Sequence, residues 1–372
     1  MKNIDDNKTA LFYPDAGKTL GADGASYFAA ANGFDGFRSN FDTLFRPDRY
    51  ERIYVLKGGP GTGKSTLLKS CAALGEARGV RTLRVRCSSD AASLDGVIYL
   101  PDGRRPVALL DGTAPHERDA IVAGAIDRLI DLGDYRRDDE LAGRREEILA
   151  LNAEKSEAYR KGYGALSIAG IFFRKIFEET AKGWDADAAR RFAARLIDER
   201  PAAEQREADL PPEGLLLSCF GKDGYASLSL PESDVSVVPL CGTPSCRFLM
   251  IDALLQVLRE RAIPCRVFSS PLDPALAEAV LIPSGRTLFR VGQEDGGINA
   301  DLPMKKRAGL TERESDLLRK EENQFFSLAV SYFAAASECH FKLEKHYTAA
   351  MDFAAIDAAR RDLLDEISDL VS

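Results

Sequence analysis

Tyr54-Val-Leu-Lys-Gly-Gly-Pro-Gly-Thr-Gly-Lys-Ser-Thr66 joins an apolar run to a glycine-rich turn and the start of a helix. Within it, Gly58-x4-Gly63-Lys64-Ser65 has Walker A spacing. Glycines let consecutive backbone N–H groups turn inward as an anion nest, because no Cβ stands in the way. In that pattern Lys64 supplies a point charge to the β- and γ-phosphates and Ser65 a hydroxyl for Mg²⁺. The expected phosphate cradle is Gly58, Gly59, Gly61, Thr62, Gly63, Lys64, Ser65 and Thr66, with the positive end of the following helix aimed at the same anion. The flanks agree with this. Arg52-Ile-Tyr-Val-Leu56 reads as a buried strand, and Ser65-Thr-Leu-Leu-Lys-Ser-Cys-Ala-Ala-Leu74 as a helix with one apolar face.

Composition narrows the class. The 372 residues suffice for two domains, each with its own core. With 29% charged and 45% hydrophobic residues the chain has an ordinary soluble composition, and its net charge of −8 argues against broad nucleic-acid binding. No apolar run is long enough to span a bilayer, so no membrane partner is expected. Met1-Lys-Asn-Ile-Asp-Asp6 has no signal-peptide character, and the seven cysteines are scattered without a C-x-x-C pair. Both features point to the cytoplasm. Three histidines without ligand-like spacing make a zinc site unexpected.

Beyond the first helix, Arg81-Thr-Leu-Arg-Val-Arg-Cys87 has strand character and runs into Ser88-Ser-Asp90; a short helix is expected over 91–98. Val107-Ala-Leu-Leu-Asp111 follows, four apolar residues capped by a carboxylate. This is a Walker B pattern, in which Asp111 would hold the Mg²⁺ shell directly or through Ser65. Strands alternating with helices predict a mostly parallel α/β sheet with its ligand at the C-terminal strand ends. No glutamate follows Asp111; the next residues are Gly112-Thr-Ala-Pro-His116. The catalytic candidates are therefore Lys64 and Asp111, with Asp90, Asp95 or His116 to orient water or a phosphoryl acceptor. Alternatively, Asp90, Thr113 and His116 do no more than cap helices. No Asn-Lys-x-Asp element is present, which argues against a G protein, and no sensor or arginine-finger motif of an AAA-type ATPase stands out. Arg104, Arg105, Arg118, Arg136 and Arg137 are near enough in sequence to reach phosphate.

A shift of 183 residues brings the glycine-rich segment onto Cys241-Gly-Thr-Pro-Ser-Cys-Arg247, and its strand onto Val235-Ser-Val-Val-Pro-Leu240. Asp90 then meets Asp273, and Asn32-Gly-Phe-Asp-Gly-Phe37 resembles Phe220-Gly-Lys-Asp-Gly-Tyr225. The second copy lacks the chemistry: Arg247 replaces the lysine, Phe248 the hydroxyl, Pro244 removes a backbone donor, and Val291 stands where Asp111 would be. The expected organisation is an N-terminal tail (1–25), an active lobe (26–200) with a helical segment at 137–199, a linker (201–213), and a degenerate lobe (214–372) with a helical segment at 311–371. Gly162, Gly164 and Gly183 are expected to break the first helical segment, and both segments to fold as helical hairpins.

Taken in order, Gly58-Gly-Pro-Gly-Thr-Gly-Lys-Ser-Thr66, Cys87-Ser-Ser-Asp90, Ser93-Leu-Asp-Gly-Val97 and Asp111-Gly-Thr-Ala-Pro-His116 resemble a family of uncharacterised bacterial P-loop ATPases of roughly this length. The resemblance covers most of the chain, with its specific motifs in the first lobe. It implies two tandem P-loop NTPase-like lobes with helical insertions. A second P-loop is often intact in such proteins, so this chain departs from them at 241–248. The expected activity is Mg²⁺-dependent ATP hydrolysis in the first lobe, with the second lobe structural or regulatory. A small-molecule kinase and a non-catalytic ATP-sensing module are the alternatives, and a protein partner or oligomer is compatible with each.

Overall fold

A computed structural model of the chain describes residues 18–20, 24–200, 210–229, 235–283, 286–292, 297–305 and 310–372. Residues 1–17 and 21–23 of the expected tail and 201–209 of the expected linker lie outside them. In chain order the elements begin with β1 (Lys18–Leu20), β2 (Ala25–Phe28), β3 (Ala30–Gly33), β4 (Gly36–Ser39), α1 (Phe41–Leu44) and β5 (Arg52–Lys57). Next come α2 (Lys64–Ala77), β6 (Arg81–Arg86), β7 (Leu94–Leu100), β8 (Val107–Asp111), β9 (Asp127–Asp131), α3 (Asp138–Ala142), α4 (Arg145–Lys182) and α5 (Ala186–Asp198). The remainder are β10 (Ser218–Gly221), β11 (Gly224–Leu228), β12 (Ser236–Cys241), α6 (Pro244–Glu260), β13 (Arg266–Ser269), β14 (Ala277–Ile282), β15 (Thr287–Val291), β16 (Ile298–Asn299), α7 (Glu312–Ala349) and α8 (Phe353–Val371). The protein is mixed α/β. No helix among the described residues is long and apolar enough to cross a membrane.

Contacts divide the chain into two units, each made of separated segments. One comprises the described parts of 21–31, Phe37–Gly162 and Ser331–Ser372; the other those of 1–20, Asn32–Gly36 and Tyr163–Val330. Both divisions cross the linear boundary near 200, because α4 changes unit at Gly162/Tyr163 and α7 at Val330/Ser331.

The first unit holds a six-stranded sheet in the order β2-β6-β7-β8-β5-β9. Its central strands are apolar throughout, as strands covered on both faces must be: 53–56 and 107–110 are all buried. β5 runs parallel to β8 and β9, whereas β7 runs antiparallel to both its neighbours. The helix expected over 91–98 is therefore a strand. Gly96 and the β-prone Val97, Ile98 and Tyr99 pack between β6 and β8, and a helix there would leave both ladders unpaired. α2 buries Leu67, Leu68, Cys71 and Ala72 against this sheet, and Leu363, Ile367 and Val371 of α8 complete the same core.

The second unit holds a five-stranded sheet in the order β13-β14-β15-β12-β16. Its strand order and senses match β6-β7-β8-β5-β9 position by position. A separate sheet, β1-β11-β10, belongs to the same unit. α6 takes the place of α2, and α5 packs on it as α8 packs on α2.

α4 and α7 are both 38 residues long. Gly162 does not break α4: the Phe333 ring lies so close that a Cβ there would stand 2.7 Å from it, so glycine admits the partner helix. α4 ends at Gly183 instead, and Asp185 caps α5 by accepting from the Ala188 N–H. Asp352 caps α8 in the same way through Ala355. Thr311 and Glu314 form a reciprocal capping box at the start of α7. Within the first unit α4 and α7 pair antiparallel, with Tyr159 against Phe333 and Leu151 near Leu343. In the second unit Phe172 stacks on Phe325 in the same sense.

Full burial of Leu363, Ile367 and Val371 is worth roughly 5–9 kcal/mol, comparable to the net stability of a domain. Deleting residues 353–371 is expected to abolish slow amide exchange in α2 and β5–β8 while β12–β15 keep their protection. Retained protection at 52–111 in hydrogen-exchange mass spectrometry would show that α8 is dispensable to the first core.

Candidate functional site

The turn between β5 and α2 is built by glycine. Gly61 has φ +70°, and a Cβ there would meet the Glu344 carbonyl oxygen at 2.7 Å, so backbone conformation and space both require its absence. Gly63 is the left-handed N-cap of α2. The N–H groups of Gly61, Thr62, Gly63, Lys64 and Ser65 donate to no protein acceptor among the described residues. Thr62 is buried and its hydroxyl donates to the Gly59 carbonyl at 2.9 Å, fixing the loop from inside. The Lys64 ammonium donates to the Gly58 and Gly59 carbonyls, both at 2.8 Å, and stands 3.7 Å from Asp111 Oδ2. These residues fit a phosphate chain: unpaired donors, a helix start and a cation converge on one loop.

Asp111 ends β8 beside β5, paired in register with Leu56. Its Oδ1 accepts from the Thr113 N–H at 2.9 Å and the Thr113 hydroxyl at 2.6 Å, which leaves Oδ2 toward Lys64. Thr113 therefore orients the carboxylate and caps no helix. Ser65 Oγ accepts from the Leu94 N–H at 3.2 Å, tying the start of α2 to the start of β7. No group of three or more His, Cys, Asp or Glu side chains suited to hold a metal exists among the described residues. One carboxylate and one hydroxyl are what Mg²⁺ uses when phosphate oxygens and water complete its shell. Ser65 and Asp111 fit that role.

Asp95 and His116 come together one residue further on. The β6–β7 ladder shifts register between Val85 and Arg86, leaving Asp95 as the extra residue of a bulge that turns it inward. Asp95 Oδ2 lies 3.3 Å from His116 Nε2, both side chains nearly inaccessible, and the imidazole stacks on Phe41 at 4.4 Å. Burial disfavours the imidazolium. The hydrogen bond to Asp95 and the charges of Asp95 and Asp111 outweigh it, so the His116 pKa stands above its ordinary 6.5. Asp90 is placed otherwise. It sits in the β6–β7 turn, where its carbonyl accepts from Ser93 N–H and its carboxylate faces Ala92 N–H at 3.5 Å. There is no helix at 91–98 for it to cap.

Of the arginines noted in sequence, Arg118 is buried with Asp127 at 3.6 Å, Arg136 pairs with Asp138 and Arg137 with Glu140. Arg104 reaches the Leu370 carbonyl at 3.4 Å. The loop's other wall was not expected from sequence. Tyr347 lies 3.0 Å from where a Cβ on Gly59 would sit, and the Thr348 hydroxyl donates to the Gly61 carbonyl at 3.3 Å. These residues are more than 280 positions away, on a helix whose local pattern reads only as core and solvent faces.

At the corresponding place in the second unit, α6 begins one turn earlier, so 244–246 are helical where 61–63 form a loop. Arg247 is fully buried and its Nε donates to the Gly242 carbonyl at 2.7 Å, much as Lys64 holds Gly58 and Gly59. The carboxylate of Asp301 accepts from Thr243 N–H at 2.9 and 3.2 Å, placing a built-in anion at the α6 N-terminus. Val291 occupies the strand-end position of Asp111, paired with Leu240. Comparison of the chain with protein-family models, curated proteins and solved structures gives no match.

The raised His116 pKa has a stability consequence with a definite sign. A group whose folded-state pKa lies above the unfolded one contributes stability that is fully present below about pH 6.5 and lost as pH rises through the folded value. His116→Gln is expected to cost more at about pH 5.5 than at about pH 8.5 in urea unfolding. An equal cost at both would show that the imidazole is neutral in the folded protein.

Proposed function

We propose that this chain binds a nucleoside triphosphate, ATP with Mg²⁺, on loop 58–66 and hydrolyses it slowly. Five consecutive N–H groups without a protein acceptor among the described residues, on the same loop whose carbonyls hold the Lys64 ammonium, carry this reading. Lys64 and the loop donors would stabilise charge on the transferred phosphoryl, where most catalysis of this chemistry lies. Ser65 and Asp111 are the residues that would hold Mg²⁺, which when bound neutralises phosphate charge. The two matching sheets support tandem P-loop lobes arisen by duplication, with the second closed by Asp301 and lacking both the lysine and the strand-end carboxylate. Seven free thiols are compatible with a reducing cytoplasm.

A second reading, an ATP-sensing module in which turnover is only a timer, draws on the three candidate bases, Asp90, Asp95 and His116, offered by the sequence. His116 and Asp95 are buried against each other and Asp90 is held in a turn, so none of the three is a ready water activator. The two readings share a site and differ in rate.

Calorimetric titration is expected to give one ATP per chain and none for Lys64→Ala. Two sites, or undiminished binding by Lys64→Ala, would overturn the assignment. EDTA is expected to stop phosphate release, and Asp111→Asn to raise the Mg²⁺ requirement about 10-fold or more. An unchanged metal response would move the metal ligand elsewhere. Stoichiometric binding without release over hours would decide for the sensor.

A further inference from the structure

We propose that Phe353 is the platform on which the base of the bound nucleotide stacks. This rests on the phosphate-site reading of loop 58–66 and adds the other end of the ligand. Phe353 is the first residue of α8, and its Cε1 lies 3.7 Å from where a Cβ on Gly63 would sit, beside the start of α2. It remains 40% exposed, an aromatic ring left open to solvent next to the last glycine of the cradle. Core packing does not account for that placement, since the buried stripe of α8 begins at Ile356.

The turn that carries the ring is held firmly to the sheet. Arg137 N–H donates to the Ala350 carbonyl and Asp352 N–H to the Tyr135 carbonyl, both at 2.9 Å, while Arg136 and Met351 form a bridge. Asp352 then caps α8. The turn that carries the platform is thus bonded to the segment following β9, the strand beside β5, at the end of the sheet where the loop lies.

The second unit supplies a control within the same chain. Its matching turn is anchored alike: Lys305 N–H donates to Gly183, Asp185 N–H to Pro303, Trp184 bridges Met304, and Asp185 caps α5. The residue after that cap is Ala186, and the α6 N-terminus is already occupied by Asp301. At the position after the cap, the aromatic ring occurs where the anion cradle is open and is missing where it is closed. Because every base has a π-face, this platform recognises a nucleobase in general and does not select adenine.

Inorganic tripolyphosphate, which has the charge but no base, separates the two contributions. Phe353→Ala is expected to weaken ATP by about 10-fold and leave tripolyphosphate unchanged, with Phe353→Tyr restoring ATP affinity. Phe353→Trp should give fluorescence quenched by ATP and unaffected by tripolyphosphate. Equal losses for both ligands, or no loss for either, would overturn the platform while leaving the phosphate site standing. Failure of the wild-type protein to bind either ligand would overturn the phosphate site and the platform with it. Phe353→Leu, which keeps an apolar side chain at the cap, guards against misfolding. ATP affinity in that variant equal to wild type would also count against stacking.

Discussion

A helix that starts at the end of a buried strand presents N–H groups without partners and a concentration of positive charge; the first call for hydrogen-bond acceptors and the second favours a negative one. The two units meet that demand in opposite ways. α6 extends by one turn and takes the Asp301 carboxylate from its own chain. α2 starts later, behind a glycine turn whose donors no protein acceptor among the described residues satisfies, and draws its lysine back onto the loop carbonyls. Much else around the first loop follows: the glycines, the Thr62 brace and the Thr113-oriented aspartate serve an opening that the second unit has filled.

Each unit borrows its outer helices from a distant part of the chain. Residues 331–372 complete the core with α2 and β5, and 163–198 belong with α6 and β12. The loop is therefore walled by Tyr347 and Thr348 and bordered by Phe353, while the α7–α8 turn is bonded to 135–137. Sequence separations of over 200 residues must be closed before the first core is whole, a topology that makes folding slow. It also couples the loop's surroundings to packing of the C-terminal helices.

The glycine loop, its strand and helix and the β8 carboxylate could all be read from sequence, because each is encoded within a dozen contiguous residues; the strand order, which depends on β7, could not. Leu94-Asp-Gly-Val-Ile-Tyr-Leu100 was open to misreading: the alternation of strand and helix favoured a helix, whereas β-branched and aromatic residues on a doubly buried strand decided otherwise. Gly162 looked like a breaker because only the packed structure shows Phe333 filling its place. Asp301 and Tyr347 carry no local signal at all. Their roles depend on which surface the chain returns to, and a periodic helix pattern records that a face is buried without saying against what.

The shared bulge shows how one backbone feature was put to two uses. Asp95 and Glu278 are the extra residues of the same irregularity in equivalent strand pairs, and both carboxylates point inward. Glu278 meets the hydroxyls of Ser218 and Tyr225, and burial raises its pKa against those bonds. Asp95 instead meets His116, a group whose charge changes near neutral pH. The residue before Asp95 donates its N–H to Ser65 Oγ at the start of α2. His116 thus touches a strand bulge that is bonded, one residue away, to the hydroxyl beside Lys64. The unit whose helix start is closed has hydroxyls at that position, and these do not change charge in the same range.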